Sequence, residues 1–123
     1  MSNRIVWADI PVTDLDRAIA FYSAVLGAPV EKQNGPGFLF AVLPHAEGES
    51  GGCLVPPGDG NAPSRTGPLC YLNAEGRLPE AVAAAVAHGG EVLEPVHPLG
   101  PHGFRAVVLD SEGNRVALHA MAL

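Results

Sequence analysis

The sequence predicts an α+β fold of two βαβββ modules, whose mixed sheets curve around a cavity. Three observations carry this prediction. The stretch from Ile5 to Leu26, IVWADIPVTDLDRAIAFYSAVL, reads as one strand, a tight turn and one amphipathic helix. The same order of elements returns, more weakly, from Leu69 onward. Between the two copies, Pro56 to Pro68 (PPGDGNAPSRTGP) is dense in turn formers and has no periodicity, so it divides the chain. Helices on one face of each sheet leave the opposite face to enclose space.

In the first strand Val6, Ala8, Ile10 and Val12 alternate with Trp7, Asp9 and Pro11, giving one apolar and one mixed face. Leu15, Ala18, Ile19, Tyr22, Val25 and Leu26 recur at helical spacing and form a single stripe. The even-numbered strand positions therefore pack under the helix, and Trp7 and Asp9 point away from it. Thr13 or Asp14 caps the helix N-terminus, and Gly27 takes the left-handed position after its end. Short strands are expected around Val30 to Gln33, from Phe38 to Leu43 and at Cys53 to Val55. The polar, Gly-rich stretch from His45 to Gly52 precedes the last of these.

The second copy opens with a strand from Leu69 to Ala74, in which Cys70, Leu72 and Ala74 face a helix and Leu69, Tyr71 and Asn73 face the other way. Pro79 suits the first turn of that helix, expected over Glu80 to His88 and stopped by Gly89-Gly90. Strands follow at Glu91 to Val96, Phe104 to Leu109 and Arg115 to His119, the last two joined by a turn from Asp110 to Gly113. A shift of 62 positions superposes Val92 on Val30, Ala74 on Val12 and Leu69 on Trp7, a repeat of pattern with few identities. The expected organisation is one domain over residues 1–123, with modules of about 1–55 and 69–123 joined by the linker 56–68.

Composition narrows the function. A hydrophobic fraction of 47% with 16% charged residues fits a packed core and excludes a disordered chain. The net charge of −6, with seven Lys and Arg scattered along the chain, argues against nucleic acid as a partner. No apolar run reaches the length of a membrane span and no signal-peptide pattern opens the chain, so a cytoplasmic protein that does not enter a membrane is expected. Cys53 and Cys70 read as two buried thiols of a reducing compartment. There is no nucleophile elbow, no phosphate-cradling glycine loop followed by Lys and no CxxC pair.

The stretches IPVTDLDRAIAFYSAVLG, LCYLNAEG and HGFRAVVLDSEGNRVALH resemble the glyoxalase, bleomycin-resistance and extradiol-dioxygenase superfamily, the vicinal oxygen chelate proteins, over essentially the whole chain. They are most similar to its small glyoxalase-related members. The resemblance implies paired βαβββ modules, a homodimer and a cavity inside the curved sheet. Metal-dependent members place His, Gln or Glu at four positions, two per module. Those positions fall here on Trp7, Leu69, Ala117 and Val55, or on Cys53 in place of Val55 if the register shifts by two. Trp, Leu, Ala and Val offer no donor to a divalent ion. The expectation is therefore no cofactor, with a divalent metal as the alternative.

By strand parity the inward residues are Trp7, Asp9, Leu69, Tyr71, Asn73, Ala117 and His119, with His102 within reach from the turn before Phe104. Trp7, Tyr71, Asn73 and His102 are the candidate ligand-binding residues, and Asp9 and His119 the candidate proton carriers. Trp7 is either a stacking surface or a plug over the vacated metal position. His45, His88 and His97 read as surface residues. Three functions compete: metal-free binding of a small molecule in the cavity; a lyase or isomerase moving a proton with Asp9 or His119; and metal-dependent glyoxalase-type catalysis with ligands such as His102 and His119. The missing donors favour the first over the third.

Overall fold

The computed structural model describes residues 3–58 and 60–123. Among them are eight strands and two helices, in two modules of identical order. The first holds β1 (Trp7–Pro11), α1 (Leu15–Leu26), β2 (Glu31–Asn34), β3 (Leu39–Val42) and β4 (Gly51–Val55). The second holds β5 (Cys70–Asn73), α2 (Leu78–Ala87), β6 (Glu91–Pro98), β7 (Phe104–Leu109) and β8 (Arg115–Ala120), with a single 3-10 turn at Gly100–His102. The sheets run β1-β4-β3-β2 and β5-β8-β7-β6. The β1/β4 and β5/β8 pairs are parallel and the others antiparallel. The paired βαβββ reading holds, and among the described residues the linker contains only an isolated bridge between Gly58 and Asn61.

Local chemistry explains the elements. Asp14, not Thr13, is the cap of α1: its side chain accepts from the backbone N–H of Arg17, and Gly27 ends the helix at φ 69°. The buried face of α1 is Ala18, Phe21, Tyr22 and Val25. Phe21 lay outside the expected stripe, but it is buried because α1 packs against α2 as well as its own sheet. The α2 helix starts at Leu78, two residues before the expected Glu80, with Pro79 in its first turn. β6 runs through Pro95 to Pro98 because it is an edge strand, where a missing N–H breaks no ladder.

One core serves both modules. Ile10, Val12, Ala41 and Leu54 from the first sheet and Leu72, Val108, Val116 and Leu118 from the second join Phe21, Tyr22, Val25, Leu78, Ala81 and Ala85 of the helices. The second module also holds both ends of α1. Glu112 accepts from the backbone N–H groups of Thr13 and Asp14 at 3.0 and 2.9 Å and from Arg17 Nε at 2.7 Å. At the other end, Arg77 donates to the carbonyls of Val25 and Ala24. A carboxylate at the N-terminus and a guanidinium at the C-terminus both match the helix dipole.

β1 and β5 lie at the ends of their sheets, each paired on one side only. The cavity that results is a groove between the two modules rather than a closed barrel, and its walls are these unpaired edges.

Candidate functional site

The groove has a volume of about 1060 Å³. Every residue of β1 and the stretch Leu69 to Asn73 line it, together with His45, Ser64, Thr66 and Arg115. Because the strands are unpaired here, both their side chains and their edges face the space. Trp7, Asp9, Tyr71 and Asn73, four of the sequence-derived candidates, thus share one cleft. Trp7 is 43% exposed and Tyr71 47%, so two large aromatic surfaces stand open to it. Asn73 accepts from the backbone N–H of Glu75 at 2.9 Å, which fixes its carboxamide at the rim.

A chain of contacts sets the Trp7 side. The indole N–H donates to Cys53 Sγ at 3.4 Å, and the Cys53 thiol donates to Asp9 Oδ1 at 3.2 Å. His45 meets the indole edge-on, with ring centroids 5.5 Å apart. His45 is exposed, as the sequence suggested, and it also lines the groove, its Nδ1 tied to the Leu43 carbonyl at 3.1 Å. Burial pushes the Cys53 thiol up; the Trp7 N–H opposes this, and the bond to Asp9 adds to it. Cys53 therefore stays a protonated thiol at neutral pH. Sequence reasoning treated it as a bland core residue. The parallel register was the missing signal, since it sets Cys53 directly beside Asp9.

The same register resolves the fourth superfamily position. Tyr71 pairs with Ala117, and Asp9, which the internal repeat superposes on Tyr71, pairs with Cys53. Cys53, not Val55, is therefore the mate of Ala117. Trp7, Leu69, Cys53 and Ala117 contain one donor, a thiol already committed to Trp7 and Asp9. Among the described residues, no three His, Cys, Asp or Glu side chains gather to hold a metal ion. The residues present do not fit the superfamily's metal.

His119 and His102 go elsewhere. With Tyr71 and Leu99 they line a second cavity of about 500 Å³ on the face of the second sheet that α2 leaves open. His119 Nε2 donates to the His102 carbonyl at 2.7 Å, and its ring meets Tyr71 at 6.0 Å between centroids. Ala117, also expected to face inward, is fully buried beneath its neighbours. Of the proton-carrier candidates, Asp9 lines the groove and His119 the smaller cavity, and Tyr71 lines both.

Residues 4–118 match the family model of the Glyoxalase/Bleomycin resistance protein/Dioxygenase superfamily. Among solved structures, a glyoxalase/bleomycin resistance protein from Albidiferax ferrireducens superposes with a TM-score of 0.73 at 19% identity, covering 96% of this chain and 99% of that one. A superfamily member from Sphaerobacter thermophilus gives a TM-score of 0.66 at 21% identity, over 96% and 97% of the two chains. A mutant of the genomically encoded fosfomycin resistance protein from Listeria monocytogenes, complexed with Mn(II) and 1S,2S-dihydroxypropylphosphonic acid, gives 0.68 at 18% identity, over 100% and 92%. At such identities these structures are alike in fold. No curated protein matches the sequence. With the family model spanning nearly the whole chain and the paired-module fold in place, the chain belongs to the Glyoxalase/Bleomycin resistance protein/Dioxygenase superfamily.

Proposed function

We propose that the chain binds a small, flat organic molecule in the groove between its modules, without a divalent ion. One observation carries this reading: Trp7 stands where the superfamily metal position falls, its N–H held by Cys53 and its ring exposed to the groove that Tyr71 also lines. An indole tethered by its polar edge is a fixed stacking surface, and buried aromatic area supplies much of the energy of ligand binding. Clefts of roughly 300–1,000 Å³ with apolar walls and a few polar groups are the usual small-molecule sites. Asn73 and Asp9 are the orienting polar groups at this one.

The functional unit is a homodimer. The unpaired edges of β1 and β5 and the exposed Ile5 and Val6 support this, because a second copy would pair the backbone groups of those edges and cover the apolar side chains. Free thiols at Cys53 and Cys70 support a reducing, cytoplasmic setting, and among the described residues no helix is long and apolar enough to cross a membrane. A lyase or isomerase moving a proton with Asp9 would work in the groove, and one using His119 in the smaller cavity.

Crystals grown in a chelator and soaked with acetophenone test the site. The expected result is density for the ring against Trp7 and Tyr71. Density elsewhere, with Trp7 packed on Leu69 and no space between them, would identify Trp7 as a plug and overturn the reading.

A further inference from the structure

Two charges of opposite sign line the groove without meeting each other. Asp9 on β1 accepts the Cys53 thiol at Oδ1, at 3.2 Å, and among the described residues no donor reaches its Oδ2. Arg115 opens β8, in the other module, and its Nε donates to the Arg65 carbonyl of the linker at 3.0 Å. Among the described residues nothing engages its Nη1 or Nη2. Both residues are half-buried, and among the described residues neither is ion-paired. Other basic side chains of this acidic protein are matched. Arg17 has Glu112, Lys32 has Asp16, Arg105 has Glu94, and Arg77 holds the carbonyl end of α1. A charge drawn part-way out of water without an opposite charge beside it is costly, and a ligand that brings one offsets that cost. Partial burial also weakens screening by salt.

Each charge has apolar surface beside it. Trp7 stands two positions before Asp9, on the same face of β1. The β5/β8 ladder begins at Cys70 and Val116, so one step earlier on each strand Leu69 comes beside Arg115. The linker adds a donor at the Arg115 end. Ser64 is laid along β8 by the Arg115 N–H, which donates to its carbonyl at 3.2 Å. Ser64 and Thr66 both line the groove, and their hydroxyls are bonded to each other at 2.9 Å. Two hydroxyls carry two hydrogens and that bond uses one, so one O–H remains to donate.

We infer, on the reading that the groove is the binding site, that its ligand is an amphoteric aromatic compound, with a carboxylate at one end of the ring and an ammonium at the other. The Nη1 and Nη2 fork of Arg115 takes the carboxylate, with the remaining linker hydroxyl as a further donor. Asp9 Oδ2 takes the ammonium, and the ring between them lies on Trp7. The pair of charges also selects against other ligands: Asp9 repels a plain anion and Arg115 a plain cation.

The test is calorimetric titration of the intact protein with para-aminomethylbenzoate, para-methylbenzoate, benzylamine and neutral acetophenone. The doubly charged probe is expected to bind roughly tenfold tighter than any of the other three, as added charge-assisted hydrogen bonds would give. Arg115→Gln and Asp9→Asn should each cost it about tenfold. Benzylamine, by contrast, should bind more tightly to Arg115→Gln, and para-methylbenzoate to Asp9→Asn, because each variant removes a repelling charge. A misfolded variant would not give gains of that kind. Binding of para-aminomethylbenzoate no tighter than that of acetophenone would overturn the ligand class and leave the groove as the site. A singly charged probe that equals it would overturn the class too, whether or not the variants fold. No binding by any of the four would overturn both the class and the site.

Discussion

The phenol of Tyr22, on the first module's helix, donates a 2.6 Å hydrogen bond to Oδ2 of Asp110, which opens the last turn of the second module. Both residues are buried, and the bond spans 88 positions of sequence. Asn114 Nδ2 donates to the same carboxylate oxygen at 3.0 Å and to the Pro11 carbonyl of β1 at 2.8 Å. The backbone N–H groups of Glu112 and Asn114, each at 2.8 Å, fill Oδ1. This buried polar cluster fixes one module on the other and so sets the width of the groove.

Tyr22→Phe removes one donor from a carboxylate that stays buried. The expected loss is about 1–3 kcal/mol in unfolding free energy, the usual range for leaving a buried polar group short of a partner. Chemical denaturation measures it, and an unchanged midpoint would show that the cluster does not join the modules.

Glu112 gives a pH signature. Desolvation pushes its carboxyl up, but the bonds from Arg17, the Asp14 backbone N–H and Ser111 outweigh this and hold it at about 2. Since the folded value lies below the unfolded one, its contribution to stability is fully present above about pH 4.5 and is lost as pH falls toward 2. Glu112→Gln is expected to lower stability at neutral pH and to flatten the acid limb of the stability curve in that window. Urea midpoints measured across it check this; parallel curves for the two proteins would contradict it.

The Cys53 thiol is expected to react slowly with iodoacetamide near pH 8, because burial and Asp9 both disfavour the thiolate. Asp9→Asn should speed alkylation at that cysteine, as read by mass spectrometry of the digested protein. A slower or unchanged rate would show that the Cys53–Asp9 contact does not hold the proton.

Sedimentation at micromolar concentration is expected to give about twice the chain mass, in keeping with two-fold closure of the β1 and β5 edges. A monomer at all concentrations would remove the dimer from the account.

Much of this arrangement was legible in the chain. Alternation assigned Trp7 and Asp9 to one face of β1 and Ile10 to the other, because period two needs no knowledge of partners. Gly27 and the Asp14 region marked the ends of α1 through local backbone chemistry. What depends on register was hidden. A shift of 62 aligned Val55 with Ala117, whereas the strands pair so that Cys53 takes that place, and only the ladder reveals it. Arg105 gave no signal, since one arginine in an apolar strand reads as an exposed residue until Tyr71 and His97 are seen beside it. That Asp9 lines the groove and His119 the smaller cavity was equally invisible, because parity assigns a face but not how two sheets meet.

Trp7, proposed as a binding surface at the superfamily metal position, should need no ion. Its most direct test is titration of Trp7 fluorescence with acetophenone, in parallel on chelator-treated protein and on protein supplied with excess Mn(II) or Ni(II). Trp7 is the only tryptophan, so the signal reports one place. Saturable quenching with the same dissociation constant is expected in each case, as is loss of saturable binding in Tyr71→Ala. Binding that appears only with the metal would contradict it.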